Sequence, residues 1–389
     1  MTLNLSDRQH WILQSEIRNM SIECSRLGGI NLAQGVCDTE VPLLVRQGAQ
    51  QAIDDGFNTY TRYDGLEELR LAIAGKQKSF TGLEMKSEGE IIVTAGATGA
   101  LYCTCLSLLN PGDEVILFEP YYGYHIHTLV ATQAVPVYVR LSAPEWSFSY
   151  DDLDRVKTPR TRALIVNTPS NPSGKVFSQE ELETIAGFAS ENDMFVFTDE
   201  IYEHFLYDQN RHIALATLPG MRERTITISG LSKTFSITGW RIGYCLSDAR
   251  WAQTIGYFND LVYVCAPAPL QLGVAKGLMN LGPEYYAGLT AAYQAKREKI
   301  CRALARADME PYIPQGAYYV LADMTAVPGD TGKDKAMNLL GKTGIACVPG
   351  GAFYHDGSGE NLARFCFAKE DSILDEVCER LIRGSTSSP

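Results

Sequence analysis

Seven short apolar runs recur between residues 91 and 246, each followed by a turn or a helix-patterned stretch. They are IIVT (91–94), EVILF (114–118), VPVYV (135–139), RALIVN (162–167), MFVFT (194–198), TITIS (225–229) and RIGYCL (241–246). Runs of this length without strict alternation read as strands covered on both faces. Between them lie helical patterns. Residues 97–109 leave a glycine-rich turn and stop at Asn110-Pro111-Gly112. Residues 178–191 open with Ser178-x-x-Glu181, a capping box, ahead of an apolar face at Leu182, Ile185 and Phe188. Strands alternating with helices predict an α/β fold, a mainly parallel seven-stranded sheet with helices on both sides. After about residue 248 the pattern changes. Residues 248–308 read as mostly helical, then come shorter strands (YYVLADM, IACVP, RFCFA) and a last helix over 370–383. That predicts a smaller α+β unit, which the first 45 residues are expected to join. The expected division is 46–285 for a large domain and 1–45 plus 286–389 for a small one.

Charge and composition narrow the partners. The chain has 34 Lys+Arg and 46 Asp+Glu, so 34 − 46 = −12. A chain this negative repels phosphate backbones, which argues against nucleic-acid binding. No window approaches the roughly 18 consecutive apolar residues of a membrane span. The start, MTLNLSDRQHWILQ, has no basic segment ahead of an apolar run and carries Asp7 early, so neither a secretory signal nor a transit peptide is expected. The ten cysteines are scattered, form no CxxC, and several sit in apolar runs, where a free thiol acts as a small hydrophobe. A reduced, cytoplasmic protein without structural zinc is expected. The tight pair His125-x-His127 has no Cys, His or acidic partner at ligand spacing, so no metal is expected there.

Functional groups of such a sheet collect at the carboxyl ends of its strands. IIVT leads into Ala95-Gly96-Ala97-Thr98-Gly99, which opens a helix. Its outward N–H groups and the Thr98 hydroxyl suit an anion, and a plain helix-start turn fits the same residues. RALIVN leads into Thr168-Pro169-Ser170-Asn171-Pro172-Ser173-Gly174. Its two X–Pro bonds stiffen the loop and would hold the Asn171 amide in place, though a surface turn reads the same way. MFVFT leads into Asp199-Glu200-Ile201-Tyr202. A carboxylate at a buried strand's end calls for a cation, and a helix N-cap explains Asp199 as well. TITIS leads into Gly230-Leu231-Ser232-Lys233-Thr234-Phe235 and on to Arg241. A lysine among small and apolar residues loses its charge readily and can form a Schiff base.

The set NPSG, DEIY and SGLSKTFSITGWRIGY, in this order and spacing, resembles the class I/II aminotransferases. These are pyridoxal-phosphate (PLP) enzymes of the aspartate-aminotransferase-like fold. In overall look the chain is similar to the kynurenine, methionine and aromatic aminotransferases. The resemblance runs from Asn31-Leu32-Ala33-Gln34-Gly35 to Arg364-Phe365-Cys366-Phe367, and it implies the following roles. Lys233 carries PLP through its ε-amino group and then serves as the base at the substrate's Cα. Asp199 faces the pyridine nitrogen, Asn171 and Tyr202 the ring's 3-oxygen, and Tyr122 the ring face. Ala97, Thr98, Arg241 and a serine bind the phosphate. Many relatives have serine three residues before the lysine; here that position is Gly230, so Ser232 and Ser229 both stay open. Tyr60 reaches the phosphate of a neighbouring subunit, which implies a homodimer. Arg364 grips the substrate's α-carboxylate, and Gly35 brings backbone close to the substrate.

The implied activity moves an amino group from an L-amino acid to a 2-oxo acid through a pyridoxamine form of the cofactor. The same residues support β- or γ-elimination and replacement, so a PLP-dependent lyase or synthase is the alternative. A PLP-binding transcription regulator would need roughly 70 residues ahead of Asn31 for a DNA-binding module; 30 precede it. Some aspartate-using relatives have lysine where this chain has Thr98, which disfavours that route to a second carboxylate.

Overall fold

The computed structural model describes residues 3, 5–6 and 14–386. The opening segment read above for a targeting signal, with Asp7, lies mostly outside them. Two helices and a short strand come first: α1 (Glu16–Arg26), β1 (Ile30–Asn31) and α2 (Leu43–Asp54), followed by α3 (Glu67–Phe80). The seven apolar runs then form one sheet: β2 (Ile91–Ala95), β3 (Glu114–Glu119), β4 (Val135–Arg140), β5 (Thr161–Asn167), β6 (Phe195–Asp199), β7 (Thr225–Gly230) and β8 (Ile242–Leu246). Their order is β2-β8-β7-β6-β5-β3-β4. All neighbours are parallel except those of β8, which runs antiparallel to both β2 and β7.

The unbroken apolar character of the strands follows from burial on both faces. Val115, Leu117, Ala163 and Ile165 join one core; the residues between them, Ile116, Leu164 and Val166, join another on the opposite face. The connecting helices are α4 (Gly96–Leu108), α5 (Gly123–Ala131), α6 (Tyr150–Val156) and α7 (Gln179–Glu191). Ser178 caps α7 as its sequence pattern predicts: the Glu181 amide donates to its hydroxyl, and the Glu181 carboxylate accepts from the Ser178 amide.

The stretch read as mostly helical resolves into α8 (Ala249–Tyr263), α9 (Ala268–Asn280) and α10 (Pro283–Arg306). At 24 residues α10 is about 36 Å long. The later strands are β9 (Pro311–Tyr312), β10 (Tyr319–Asp323), β11 (Ile345–Ala346), β12 (Val348–Pro349) and β13 (Leu362–Cys366), with helices α11 (Gly332–Thr343) and α12 (Asp371–Thr386). IACVP, read as one strand, is two: β11 pairs with β1, while β12 pairs with β13. The antiparallel sheet runs β12-β13-β10-β9.

A polar network is buried behind the carboxyl end of β6. Glu203 pairs with Lys76 and accepts from the Ser229 hydroxyl at 2.9 Å. Glu200 accepts from Thr198 at 2.8 Å and lies 2.7 Å from His212 Nε2. His204 sits between the rings of Phe80 and Tyr286. Burial favours a neutral Glu203, but Lys76, His204 and His212 outweigh it and hold the carboxyl at about 2. Burial, aided by Lys76, pushes His204 down to about 3.

Both shifts have the same consequence. An unfolded histidine takes a proton below about pH 6.5 and an unfolded glutamate below about 4.3, where the folded groups do not. The unfolded chain then binds more protons, so stability falls as the pH drops. His204 acts from about pH 6.5 downward, by at most about 1.4 kcal/mol per pH unit, and Glu203 adds its share below about 4.3. Urea unfolding at pH 6.5, 5.5 and 4.5 should show stability falling more steeply for the native chain than for His204→Phe, which keeps the ring stack. Equal slopes would mean that His204 titrates alike in both states.

Candidate active site

The topology brings the sequence candidates to one edge. The carboxyl ends of β2, β5, β6 and β7 point the same way, delivering Gly96, Asn167, Asp199 and the Lys233 turn. Because β8 runs antiparallel, its start lies at that edge too, with Ile242 opposite Ala95 and Gly243 opposite Gly230. Arg241, one residue before β8, therefore stands beside the start of α4. A cavity of about 400 Å³ opens there. It is lined by Gly35, Ala97, Thr98, Tyr122, Asn171, Asp199, Tyr202, Ser232, Lys233, Arg241 and Arg364, which are all the candidates except Tyr60 and Ser229.

The two ends of the cavity differ. At one, α4 starts with no side-chain cap on its first-turn N–H groups. Arg241 adopts left-handed backbone, φ 58°, and donates from Nη1 to the Thr238 carbonyl at 2.9 Å. Its guanidinium lies so close to Gly96 that a Cβ there would come within 2.2 Å of Nη2. The left-handed φ of +76° is what favours glycine at Gly96, because the guanidinium ends a flexible side chain that can shift. Unpaired N–H groups, the Thr98 and Ser232 hydroxyls and a guanidinium make a cradle for a phosphate. Ser229 does not share in it, since its hydroxyl donates to Glu203.

In the middle, Lys233 Nζ donates to the Gly35 carbonyl at 3.1 Å, with the rings of Tyr202 and Tyr318 5.9 and 5.7 Å away. The side chain is partly buried and lines the cavity. Burial lowers its pKa; Arg241 and Arg364 push the same way, against the opposing effect of Cys37 and Cys366. Asp199 Oδ2 lies 2.9 Å from His125 Nε2, and Oδ1 accepts from the Ile201 amide at 3.2 Å. The Tyr202 and Tyr319 hydroxyls are 3.0 Å apart. Tyr122, the residue before α5, stacks on Tyr124 and meets His125 edge-on.

At the far end, Arg364 on β13 is 1% exposed. Nη1 donates to Asn171 Oδ1 at 2.7 Å and Nη2 to the Ala33 carbonyl. The guanidinium lies 4.3 Å over the Tyr319 ring. Nε has no partner, and no carboxylate pairs with this charge among the described residues. Gly35 sits against Tyr319, whose hydroxyl would be 1.8 Å from a Cβ.

The sequence profile of the family "Aminotransferase class I and II" matches residues 28–381. The chain belongs to the class I and II aminotransferases. It is 33% identical to a kynurenine–oxoglutarate transaminase of Dictyostelium discoideum, over 92% of this chain and 91% of that one. It is 32% identical to a methionine aminotransferase of Escherichia coli, over 93% and 94%. The structure of N-succinyldiaminopimelate aminotransferase from Mycobacterium tuberculosis superposes with a TM-score of 0.94 at 35% identity, covering 98% of this chain and 100% of that one. The protein is thus a PLP-dependent aminotransferase, acting on amino-acid and 2-oxo-acid substrates. These relatives lend the lyase alternative no support.

The cavity fits the aminotransferase cofactor on its own evidence: a phosphate cradle of helix N–H groups, hydroxyls and a guanidinium, a lysine with depressed pKa and a carboxylate set beside a histidine. Sequence reasoning missed His125, weighed only as half of a metal pair, and Tyr319. His125 stands three residues after Tyr122, in the first turn of the helix that Tyr122 precedes, and the two rings meet edge-on. Nothing local marks Tyr319; only the pairing of β10 with β13 brings it beside Arg364. Tyr60 is 82% exposed and does not line this cavity.

Proposed function

We propose the following division of labour in this aminotransferase. Lys233 would hold the cofactor through its ε-amino group and, when free of it, would move the proton at the substrate's Cα. Asp199, held by His125 and the Ile201 amide, would pair with the pyridine nitrogen. Bound PLP supplies the electron sink and carries the amino group between amino acid and 2-oxo acid. Asn171 accepts from Arg364 through Oδ1, which leaves its amide N–H groups to donate, with Tyr202, to the ring's 3-oxygen. Tyr122, in the cavity lining, would lie against the ring face. The Ala97 and Thr98 N–H groups, the Thr98 and Ser232 hydroxyls and Arg241 hold the phosphate. Arg364, with the Gly35 backbone nearby, takes the α-carboxylate. One observation carries this reading: a buried, carboxylate-free guanidinium facing the same cavity as Lys233. Burying a charge without a counter-charge is costly, and a substrate carboxylate supplies the missing partner.

The same reading extends to assembly and setting. Tyr60 and Leu261 are 82% and 78% exposed, with Phe57, Val262 and Val264 also exposed. The contact of Tyr63 with Tyr257 ties the Tyr60 loop to α8, which carries Leu261 and Val262. A second copy covering this face makes a homodimer, in which Tyr60 reaches the partner's phosphate cradle. The split into a large unit, 46–285, and a small one, 1–45 plus 286–389, is supported by the β1–β11 pairing. A cytoplasmic setting is supported by ten free cysteines. No helix of the described residues is long and apolar enough to cross a membrane.

Two predictions test these assignments. Arg364→Ala should retain PLP but lose about ten- to a hundredfold in affinity for amino acids, as expected for a charge-assisted hydrogen bond. A decarboxylated amine should be affected little, and Arg241→Ala should instead weaken PLP binding. Single-turnover rates with an amino acid and its amine decide the matter; equal losses for both donors in Arg364→Ala refute the anchor. Light scattering should give about twice the 42.9 kDa chain mass, and a fully active monomer would contradict the shared site.

A further inference from the structure

Two tyrosines in the cavity wall meet through their hydroxyls. Tyr202 stands three residues after β6 and Tyr319 opens β10; both are buried and both line the cavity. Their oxygens are 3.0 Å apart, and their rings cross nearly at right angles, 86°, with centroids 5.7 Å apart. The pair joins positions 117 residues apart and ties the large sheet to the smaller antiparallel one.

Tyr319 has no freedom to turn away. Its ring lies under the Arg364 guanidinium at 4.3 Å. The Tyr318 ring packs beside it at 4.9 Å. The backbone of Gly35 passes so near that a Cβ there would come within 1.8 Å of the Tyr319 oxygen. Among the described residues the Tyr319 hydroxyl has one hydrogen-bond partner, Tyr202, and the Tyr202 hydroxyl has one, Tyr319.

Either hydroxyl can donate in this pair. A cofactor oxygen accepting from Tyr202 removes the choice, because a hydroxyl has one proton to give. We propose that Tyr319 is a positioning residue, which donates to the Tyr202 hydroxyl and commits the Tyr202 proton to the cofactor's 3-oxygen. The proposal rests on the reading of Tyr202 as a donor to that oxygen. A hydroxyl that accepts is polarised into a stronger donor. The 3-oxygen that accepts more from Tyr202 accepts less from the protonated nitrogen of the lysine–cofactor linkage, so the linkage gives up its proton at lower pH. The second proposed donor, Asn171, is oriented by Arg364. Both donors to the 3-oxygen are thus set by one pair, Arg364 over Tyr319.

The test is an absorbance titration of the lysine–cofactor linkage in the holoenzyme, native and with Tyr319→Phe, Tyr202→Phe and both together. Tyr319→Phe keeps the ring under Arg364 and removes only the hydroxyl. It should raise the midpoint by roughly half to one pH unit, the worth of one hydrogen bond. Tyr202→Phe should raise it at least as far. The double variant should stay at the Tyr202→Phe midpoint, because Tyr319 acts only through Tyr202. A packing role for Tyr319 would lower the melting temperature and leave the midpoint in place, which overturns the proposal. So does a Tyr319→Phe shift that adds in full to that of Tyr202→Phe. If Tyr202→Phe moves the midpoint and Tyr319→Phe does not, the proposal alone fails and Tyr202 keeps its role. If neither moves it, the assignment of Tyr202 fails and the proposal falls with it.

Discussion

The site depends on a guanidinium that the protein buries and does not neutralise. Arg364 gives one N–H to Asn171 and one to the Ala33 carbonyl, stacks on Tyr319, and keeps Nε unpaired. Each neighbour is neutral. A carboxylate in their place would neutralise the charge and leave nothing for a substrate carboxylate to satisfy. The carbonyl and the ring orient the guanidinium without cancelling it. The same arrangement fixes the Asn171 amide, since a guanidinium only donates and must meet Oδ1. The proposed α-carboxylate seat and the proposed donor to the cofactor thus share one hydrogen bond.

The sheet makes this economy possible. Parallel strands collect their carboxyl ends at one edge, and the single antiparallel strand β8 adds its amino end there. Without that reversal Arg241 would stand at the opposite edge, far from the first turn of α4. The smaller antiparallel sheet then contributes Arg364 and Tyr319 from neighbouring strands, and the segment after β1 contributes Gly35, whose carbonyl meets Lys233. Four distant parts of the chain therefore converge on one cavity of about 400 Å³.

Much of this was legible in the sequence, for local reasons. The strands of the large sheet other than the edge strand β4 are largely buried on both faces, so their apolar runs are nearly unbroken, and all seven runs became strands within about a residue of their expected ends. The Ser178–Glu181 capping box is a contact between near neighbours and formed as read. The motif residues sit directly after strands, so the strand pattern located them. What escaped depends on pairing between distant segments. The break of IACVP into β11 and β12 follows from its two partners, β1 and β13, which its own residues do not reveal. The link from His125 to Asp199 spans 74 residues and needs the three-dimensional sheet. Nothing local separates Ser232 from Ser229; only the fold puts the first in the cavity lining and the second against Glu203.

The most direct test of the account concerns the charge of Arg364 as seen from Lys233. Arg364 is among the groups that lower the lysine's pKa. A carboxylate bound against it supplies an opposite charge and should favour the protonated lysine. The measurement is an absorbance titration of the lysine–cofactor linkage in the holoenzyme, with and without a saturating carboxylate that has no amino or oxo group. The account predicts that the midpoint rises when the carboxylate binds the native enzyme and stays put in Arg364→Leu. An equal rise in both proteins, or none in the native one while the carboxylate is bound, would contradict it.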